Sequence, residues 1–495
     1  MDAVGGTSLS LAITLVGLLF IMVWKAFRHK GNLPPGPTPF PFLGNLLQVR
    51  GKDTVQTIIK LSEKYGPVFT LHFGSRPVLV LCGHESVKEA LVDQADDFSG
   101  RGDFPIFEMI TKGYGVVISN GERWKQLRRF SIMTLRNFGM GKRSIEERIQ
   151  EEAQFLVEEL KKTNELPFDP TYFFSKAVSN VICSIVFGNR FDYEDKKFLA
   201  LLQLFNSNFR FLSSSWGQIL NQFPAIRFLP GPHNAFFREV KMLKRFVKED
   251  IKEHQETLDP SNPRDYIDCF LIKMMQDTEN QMSEFSRKNL VGTTINLFVA
   301  GTETVSTTLR YGLMVLLKNQ GIEEKMHQEI DSVIGQNRQP CIDDRSKMPY
   351  TDAVIHEIQR FIDIIPMNLP HCVTRDTRFR GYTIPKGMTV IPVLTSVLHD
   401  QKKYGNPECF DPKHFLDENG GFKKNDAFVP FSTGKRICLG EGLARMELFL
   451  FFTTILQNFS LKAVGNPDDI DLTPEISGFS HIPRLYQLCL VPRLI

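Results

Sequence analysis

This chain of 495 residues has little net charge. The total is +3 at neutral pH, with Lys and Arg scattered among Asp and Glu, which leaves no electrostatic footprint for nucleic acid. It has no C-x-x-C pair. Its eight cysteines, at 82, 183, 269, 341, 372, 409, 438 and 489, make a poor zinc site. Their wide spacing in a long chain favours reduced cytosolic thiols over a disulfide framework. There is no P-loop lysine signature, and no Gly-x-Gly-x-x-Gly opens a helix after a strand. No flavin or nicotinamide site is therefore evident, and any electrons must come from another protein. Length alone suggests about three domains. Between residues 50 and 490, however, there is no flexible linker, internal repeat or low-complexity tract, which points to one large domain.

Charge is also missing from Ala3 to Trp24. A helix of that length reaches about 33 Å, close to the ~30 Å hydrocarbon core of a bilayer. Lys25, Arg28, His29 and Lys30 follow at once, and only Asp2 precedes. This order reads as an uncleaved anchor with the bulk of the chain in the cytosol; a cleaved signal would carry its basic residues first. Next, Leu33-Pro-Pro-Gly-Pro37 opens a stiff, proline-rich stretch that cannot be helix. The expected organisation is an anchor with basic stop over 1–30, a proline-rich hinge over 31–49 and a single catalytic domain over 50–495.

Residues 67–82 read as strand, turn and strand. Val68–Phe73 alternates, Gly74–Pro77 turns and Val78–Leu81 is a short apolar run. A second strand cluster is predicted over 368–396. Helical periodicity dominates elsewhere: 141–163, 172–188, 234–257, 285–319, 321–334, 349–362 and 439–457. Strands flank the helical mass instead of alternating with it, so the fold class is α+β, predominantly α. The pattern over 285–319 makes about 50 Å of helix, long enough to cross a whole core, with Gly321 as its expected stop. Residues 216–237 mix Trp, Phe, Ile and Leu with Pro and a few cations, and read as a loop dipping into lipid.

Chemistry collects at Phe431-Ser-Thr-Gly-Lys-Arg-Ile-Cys-Leu-Gly440. Gly434 and Gly440 let the backbone turn tightly beneath a flat ring. Arg436 offers a planar, permanent cation to a haem propionate, and Phe431 can shield a sulfur from water. The helical run that follows places Cys438 near a helix N-terminus, where dipole and free N–H groups favour a thiolate. On these five positions the chain resembles the cytochrome P-450 family of haem-thiolate monooxygenases. The resemblance runs from about Leu33 to Pro492. Leu33–Pro37, Asn262–Asp265, Ala353–Arg360 and Leu443–Leu450 make it similar to the vertebrate microsomal family 2 members.

The long helix carries Ala300-Gly-Thr-Glu-Thr304. Ala300 and Gly301 remove bulk and leave room for a diatomic ligand and a water. The Thr304 hydroxyl can donate and accept, and Glu303 is placed to relay the protons that O2 cleavage consumes. Val305 stands where the family often has another hydroxyl. Trp124 and Arg128 lie one helical turn apart, and both can bind a propionate. The resemblance implies further propionate contacts from Arg101 and His371. It also implies a buried folding lock of Glu357, Arg360 and His414, although an E-x-x-R spacing by itself is common. By the same analogy Phe107, Tyr114, Val117, Phe209, Phe298, Ala300, Ile365, Met367 and Phe479 line an apolar substrate pocket.

The implied cofactor is haem b (iron protoporphyrin IX). The implied partners are NADPH-cytochrome P-450 reductase, cytochrome b5, O2, membrane lipid and a lipophilic substrate. Lys125, Arg129, Arg136, Lys142, Arg143, Lys423, Lys424, Lys435 and Arg445 are candidate docking charges for an acidic flavoprotein. The implied location is the endoplasmic reticulum membrane. Two rival readings are a haem-thiolate isomerase or peroxygenase that needs no reductase, and a non-catalytic membrane protein that binds haem or lipid.

Overall fold

The computed structural model describes residues 13–18, 21, 32–49, 54–138 and 143–493. The anchor expected over 1–30 falls largely outside them. Among the described residues, no helix is long and apolar enough to cross a membrane. The chain divides into two compact units: Met1–Asp103 with Met367–Ser396, and Phe104–Pro366 with Val397–Ile495.

In the first unit the alternating segments build a five-stranded sheet. Val68–Phe73 and Arg76–Cys82 form an antiparallel hairpin, and Thr389–Val393 runs parallel to its second strand. His371–Cys372 and Gly100–Arg101 extend the sheet in antiparallel pairing. The second strand begins at Arg76, not at Val78 as its apolar run suggested. Pro77 has no N–H to give, but it pairs only with His72, because the parallel partner first joins at Val78. The proline-rich hinge is pinned to this sheet. Thr70 donates its N–H to the Pro35 carbonyl at 2.9 Å and its hydroxyl to the Pro34 carbonyl at 2.8 Å. A Cβ on Gly36 would stand 1.9 Å from the Thr70 carbonyl oxygen, so only glycine fits there.

The second unit is mostly helix. The periodic segments fold as Arg143–Lys161, Thr171–Val186, His233–Thr257, Arg287–Lys318, Gln320–Val333, Pro349–Ile362 and Glu441–Asn458. Periodicity passed over Gly121–Asn137, Lys196–Ser213 and Tyr266–Gln276. The first of these buries Ser131 and Thr134 beside Trp124, Leu127 and Leu135, so its core face is partly polar and its apolar stripe is broken. A small antiparallel sheet of Phe459–Ala463 and Leu488–Pro492 completes the α-rich α+β arrangement.

The long helix spans Arg287–Lys318, about 48 Å. Ser286 caps its start by accepting the Asn289 N–H. Gly321 does not end it. Asn319 does, donating its N–H to the Leu316 carbonyl and its side-chain amide to the Val315 carbonyl at 2.8 Å. Gly321 instead lies in the first turn of the next helix. The stretch read as a loop over 216–237 is largely ordered into the helix Ser215–Gln222 and a 3-10 turn, Pro224–Phe228. Trp216 donates to His233 Nδ1 at 3.1 Å across its base. Phe228 and Leu229 stand out from its tip, 77% and 59% exposed.

Candidate functional site

The Cys438 segment is built as a closed loop feeding a helix. Gly434 takes φ +72°, which a side chain resists, and opens a single 3-10 turn through Arg436. The Cys438 N–H returns to the Phe431 carbonyl at 2.9 Å and closes the loop. Gly440 is different from expectation. Its φ of −93° is open to any residue, so it is not needed for the turn, and nothing stands within 4 Å of where its Cβ would be.

Arg436, buried, donates to the Ser119 carbonyl at 2.9 Å and to Asn120 Oδ1 at 3.1 Å. Its guanidinium lies 3.8 Å from the Trp124 ring centroid. Arg128 donates to the Ile437 carbonyl at 2.6 Å. Four of the residues read from sequence, Trp124, Arg128, Arg436 and Cys438, are thus drawn together from the Gly121–Asn137 helix and the cysteine loop. Ser119 and Asn120, which sequence reading missed, fasten them. Loop positions that act through a backbone carbonyl leave no sequence signal; Asn120 precedes a helix start, and that could have drawn notice.

Burial pushes the Cys438 thiol up. The N–H groups of Gly440 and Glu441 and the Arg128 charge pull it down, and burial wins. The helix terminus therefore assists a thiolate without creating one. A coordinated metal would complete the deprotonation. The residues fit an anionic iron porphyrin. Cys438 lies deep among surrounding groups, which raises its thiol, yet its side chain keeps an uncovered surface; two cations and an indole adjoin it, and Ala300 is exposed although Phe298 and Thr302 on the same helix are buried.

On the long helix, Gly301 turns its bare face to the Thr171–Val186 helix, where a Cβ would meet Ile182 Cδ1 at 2.9 Å. The missing bulk there serves helix packing, not ligand space. The Thr304 hydroxyl donates to the Ala300 carbonyl at 2.7 Å. Glu303 is 2% exposed, and burial pushes its carboxyl up to about 7, partly offset by Arg310.

The lock assembles fully. Arg360 donates to both carboxylate oxygens of Glu357 at 2.7 Å. It also reaches the carbonyls of Leu398, Pro407 and Cys409. Glu357 accepts further bonds from the Asp411 N–H at 2.9 Å and from His414 Nδ1 at 3.1 Å. Burial works against a charge on His414, but Glu357 and the Gly405 carbonyl outweigh it and raise its pKa. Its contribution to stability is fully present below the unfolded value of about 6.5 and is lost as pH rises through the higher folded value. H414A should cost about 1 kcal/mol at pH 6 and less at pH 9, read as denaturation midpoints at both pH values. An equal loss at both would remove the charge from this account.

The pocket set is partly assembled. Phe107, Phe209 and Phe479 meet edge-on, with centroids 5.8 Å and 6.2 Å from Phe479. Phe104, not foreseen, joins at 4.6 Å from Phe107. Phe298 is fully buried between Phe187 and Phe205. Tyr114 lies under the Arg123 guanidinium, and Val117 donates its N–H to Asn296 Oδ1 at 3.2 Å. Ile365 is half-buried. In the first unit, Met367 packs on the sheet core, Arg101 donates to the Leu369 carbonyl, and His371, the register partner of Arg101, bonds the Phe98 carbonyl at 2.8 Å.

The family model for cytochrome P450 matches residues 34–490. The chain belongs to the cytochrome P450 family. It is 59% identical to cytochrome P450 2C11 of Rattus norvegicus over 485 residues, 98% of this chain and 97% of that one. It is 58% identical to cytochrome P450 2G1 of Oryctolagus cuniculus over 494 residues, 100% of each. As a cytochrome P450 it uses haem b and is an oxidoreductase, a monooxygenase of lipophilic molecules. Among its candidate docking cations, Arg445 is already engaged, bonded to Glu441 at 2.9 Å and to His356 Nε2 at 2.9 Å. Lys142 and the Arg143 side chain lie outside the described residues.

Proposed function

We propose that this cytochrome P450 works at the endoplasmic reticulum membrane. In this reading it draws NADPH electrons through a separate reductase, with cytochrome b5 as an accessory donor. It inserts one atom of O2 into lipophilic small molecules: xenobiotics, steroids, retinoids or fatty acids. The observation that carries this reading is the accessible Cys438 thiol held beside Arg128, Trp124 and Arg436. Bound haem supplies the oxidising chemistry. Cys438 Sγ would hold its iron as a thiolate, Arg128 and Arg436 would neutralise its acidic edge, and the Trp124 indole N–H would help orient it. The Thr304 hydroxyl and the Glu303 carboxyl hold and pass protons. The aromatic cluster of Phe107, Phe209 and Phe479 excludes water and selects substrate by shape. Exposed Lys435 and Arg129 steer an acidic flavoprotein, and Phe228 with Leu229 enters the lipid surface.

Reconstitution with the reductase and NADPH tests this. NADPH oxidation and hydroxylated product should rise together, and both should weaken as added salt screens docking. Product formed from peroxide alone at the same rate, or none from a broad lipophilic panel, would defeat the reading. In Thr304→Ala, electron consumption should continue while product per NADPH falls about tenfold or more, since a lost proton-transfer group slows its step by on the order of 10²–10⁴-fold, with hydrogen peroxide released instead. Equal yield in mutant and wild type would remove Thr304 from proton delivery.

A further inference from the structure

Glu303 and Arg310 stand seven residues apart on the long helix, two turns and about 10.5 Å of rise, so they share one face. Both are buried, at 2% and 5% exposure. Glu303 Oε1 and Arg310 Nε each lack a hydrogen-bond partner. A pair of complementary, buried, unsatisfied groups on one face is the setting in which a buried water bridges two side chains.

The far end of Arg310 is anchored from the surface. Nη1 donates to Thr171 Oγ1 at 3.0 Å. The Thr171 hydroxyl in turn donates to Asp169 Oδ1 at 2.5 Å, and Asp169 is exposed. Because that hydroxyl is committed in direction, the chain holds the guanidinium in place and is no proton wire. An arginine does not release its proton in any case.

We propose that Arg310 is a positioning residue for Glu303: held by Thr171 and Asp169, its guanidinium faces the carboxyl through buried water and determines which proton state Glu303 keeps.

The charged and titratable groups around the pair are few. Arg310 is the charge that acts on Glu303. Arg310 itself is influenced by Tyr486, Glu303, Asp169 and, on the Lys196–Ser213 helix, Arg210. Tyr486 donates its hydroxyl to the Arg310 carbonyl at 2.6 Å, which fixes the backbone beneath the guanidinium. Arg210 is turned outward to Glu475 at 2.8 Å. With burial holding the carboxyl near 7, a modest change in the arginine moves Glu303 between charged and neutral at working pH. The direction follows from charge: loss of the cation favours the neutral acid. The inference rests on the proposed proton role of Glu303 for its importance, but not for its test.

Infrared difference spectra of the haem-loaded protein, taken across pH, report the protonated carboxyl of Glu303 directly; the band is assigned by its loss in E303Q. In R310M the titration midpoint of that band should rise by about one pH unit or more. In R310K, where a cation remains without the fork, it should rise less. In T171V, which frees the guanidinium without removing its charge, the shift should be upward and smaller than in R310M. T171V also guards against R310M failing to fold. An unchanged midpoint in T171V, together with an unchanged or unobtainable R310M, overturns the proposal. Should the midpoints shift while E303Q keeps full coupling of NADPH to product, the positioning stands and the proton role of Glu303 falls.

Discussion

Replacing Arg360 with Ala is expected to cost about 3–5 kcal/mol, the range for breaking a buried ion pair by removing one partner. Against a total stability of about 5–15 kcal/mol, that is a large share of the margin, so the denaturation midpoint should drop steeply and the yield of folded, haem-loaded protein should fall. The size follows from what Arg360 holds. Both it and Glu357 are fully buried. Arg360 satisfies two carboxylate oxygens and the carbonyls of Leu398, Pro407 and Cys409. Its loss leaves a buried carboxylate with only the Asp411 N–H and His414 against it, and three carbonyls short of a donor. Arg360→Lys should be nearly as damaging, since one ammonium cannot span the five bonds of a planar fork. Denaturant midpoints and the yield of haem-bearing protein measure both variants. A cost below about 1 kcal/mol, the value of an exposed pair, would show that the burial seen here has no energetic consequence.

That lock marks how far sequence reading reaches. The Glu357-Ile-Gln-Arg360 spacing places two side chains on one helix face, but the same spacing is common on surfaces. Only the packing of the segment after Leu398 around it separates a structural centre from an exposed pair. The long helix was legible because its periodicity persists through 32 residues. Its end is less legible, because Asn319 caps with its own side chain and Gly321, the usual stop signal, falls inside the next helix. Gly301 shows the same gap at the site. Its smallness was readable, but whether that smallness made room for a ligand or for Ile182 depended on which face the neighbouring helix covers. The Gly121–Asn137 helix gave only its Trp124–Arg128 turn to the reading, because a core face of Ser131 and Thr134 looks polar until those hydroxyls are placed. Ser131, for instance, bonds the buried Tyr266 hydroxyl at 2.8 Å.

The largest effect on activity is expected at Cys438. In Cys438→Ser the reduced protein under carbon monoxide should lose the far-shifted Soret absorption of a thiolate-bound haem, and monooxygenase turnover should fall to background. The loop would survive the change. Its closure depends on the Cys438 N–H to the Phe431 carbonyl, on the positive φ at Gly434 and on Arg436 clamped by Ser119 and Asn120, none of which uses the sulfur. A hydroxyl at that place is nearly isosteric, yet it is a hard, weakly donating ligand. It cannot push electron density toward iron as a thiolate does. The contrast with Arg360→Ala is therefore sharp and measurable. The lock variant should fail in denaturation and in haem yield together. The Cys438→Ser protein should keep a near-native denaturation midpoint in the absence of haem and lose the spectral signature. A serine variant that retained both the shifted absorption and turnover would mean that another residue ligates the iron, and the placement of Arg128, Trp124 and Arg436 around Cys438 would need a different explanation.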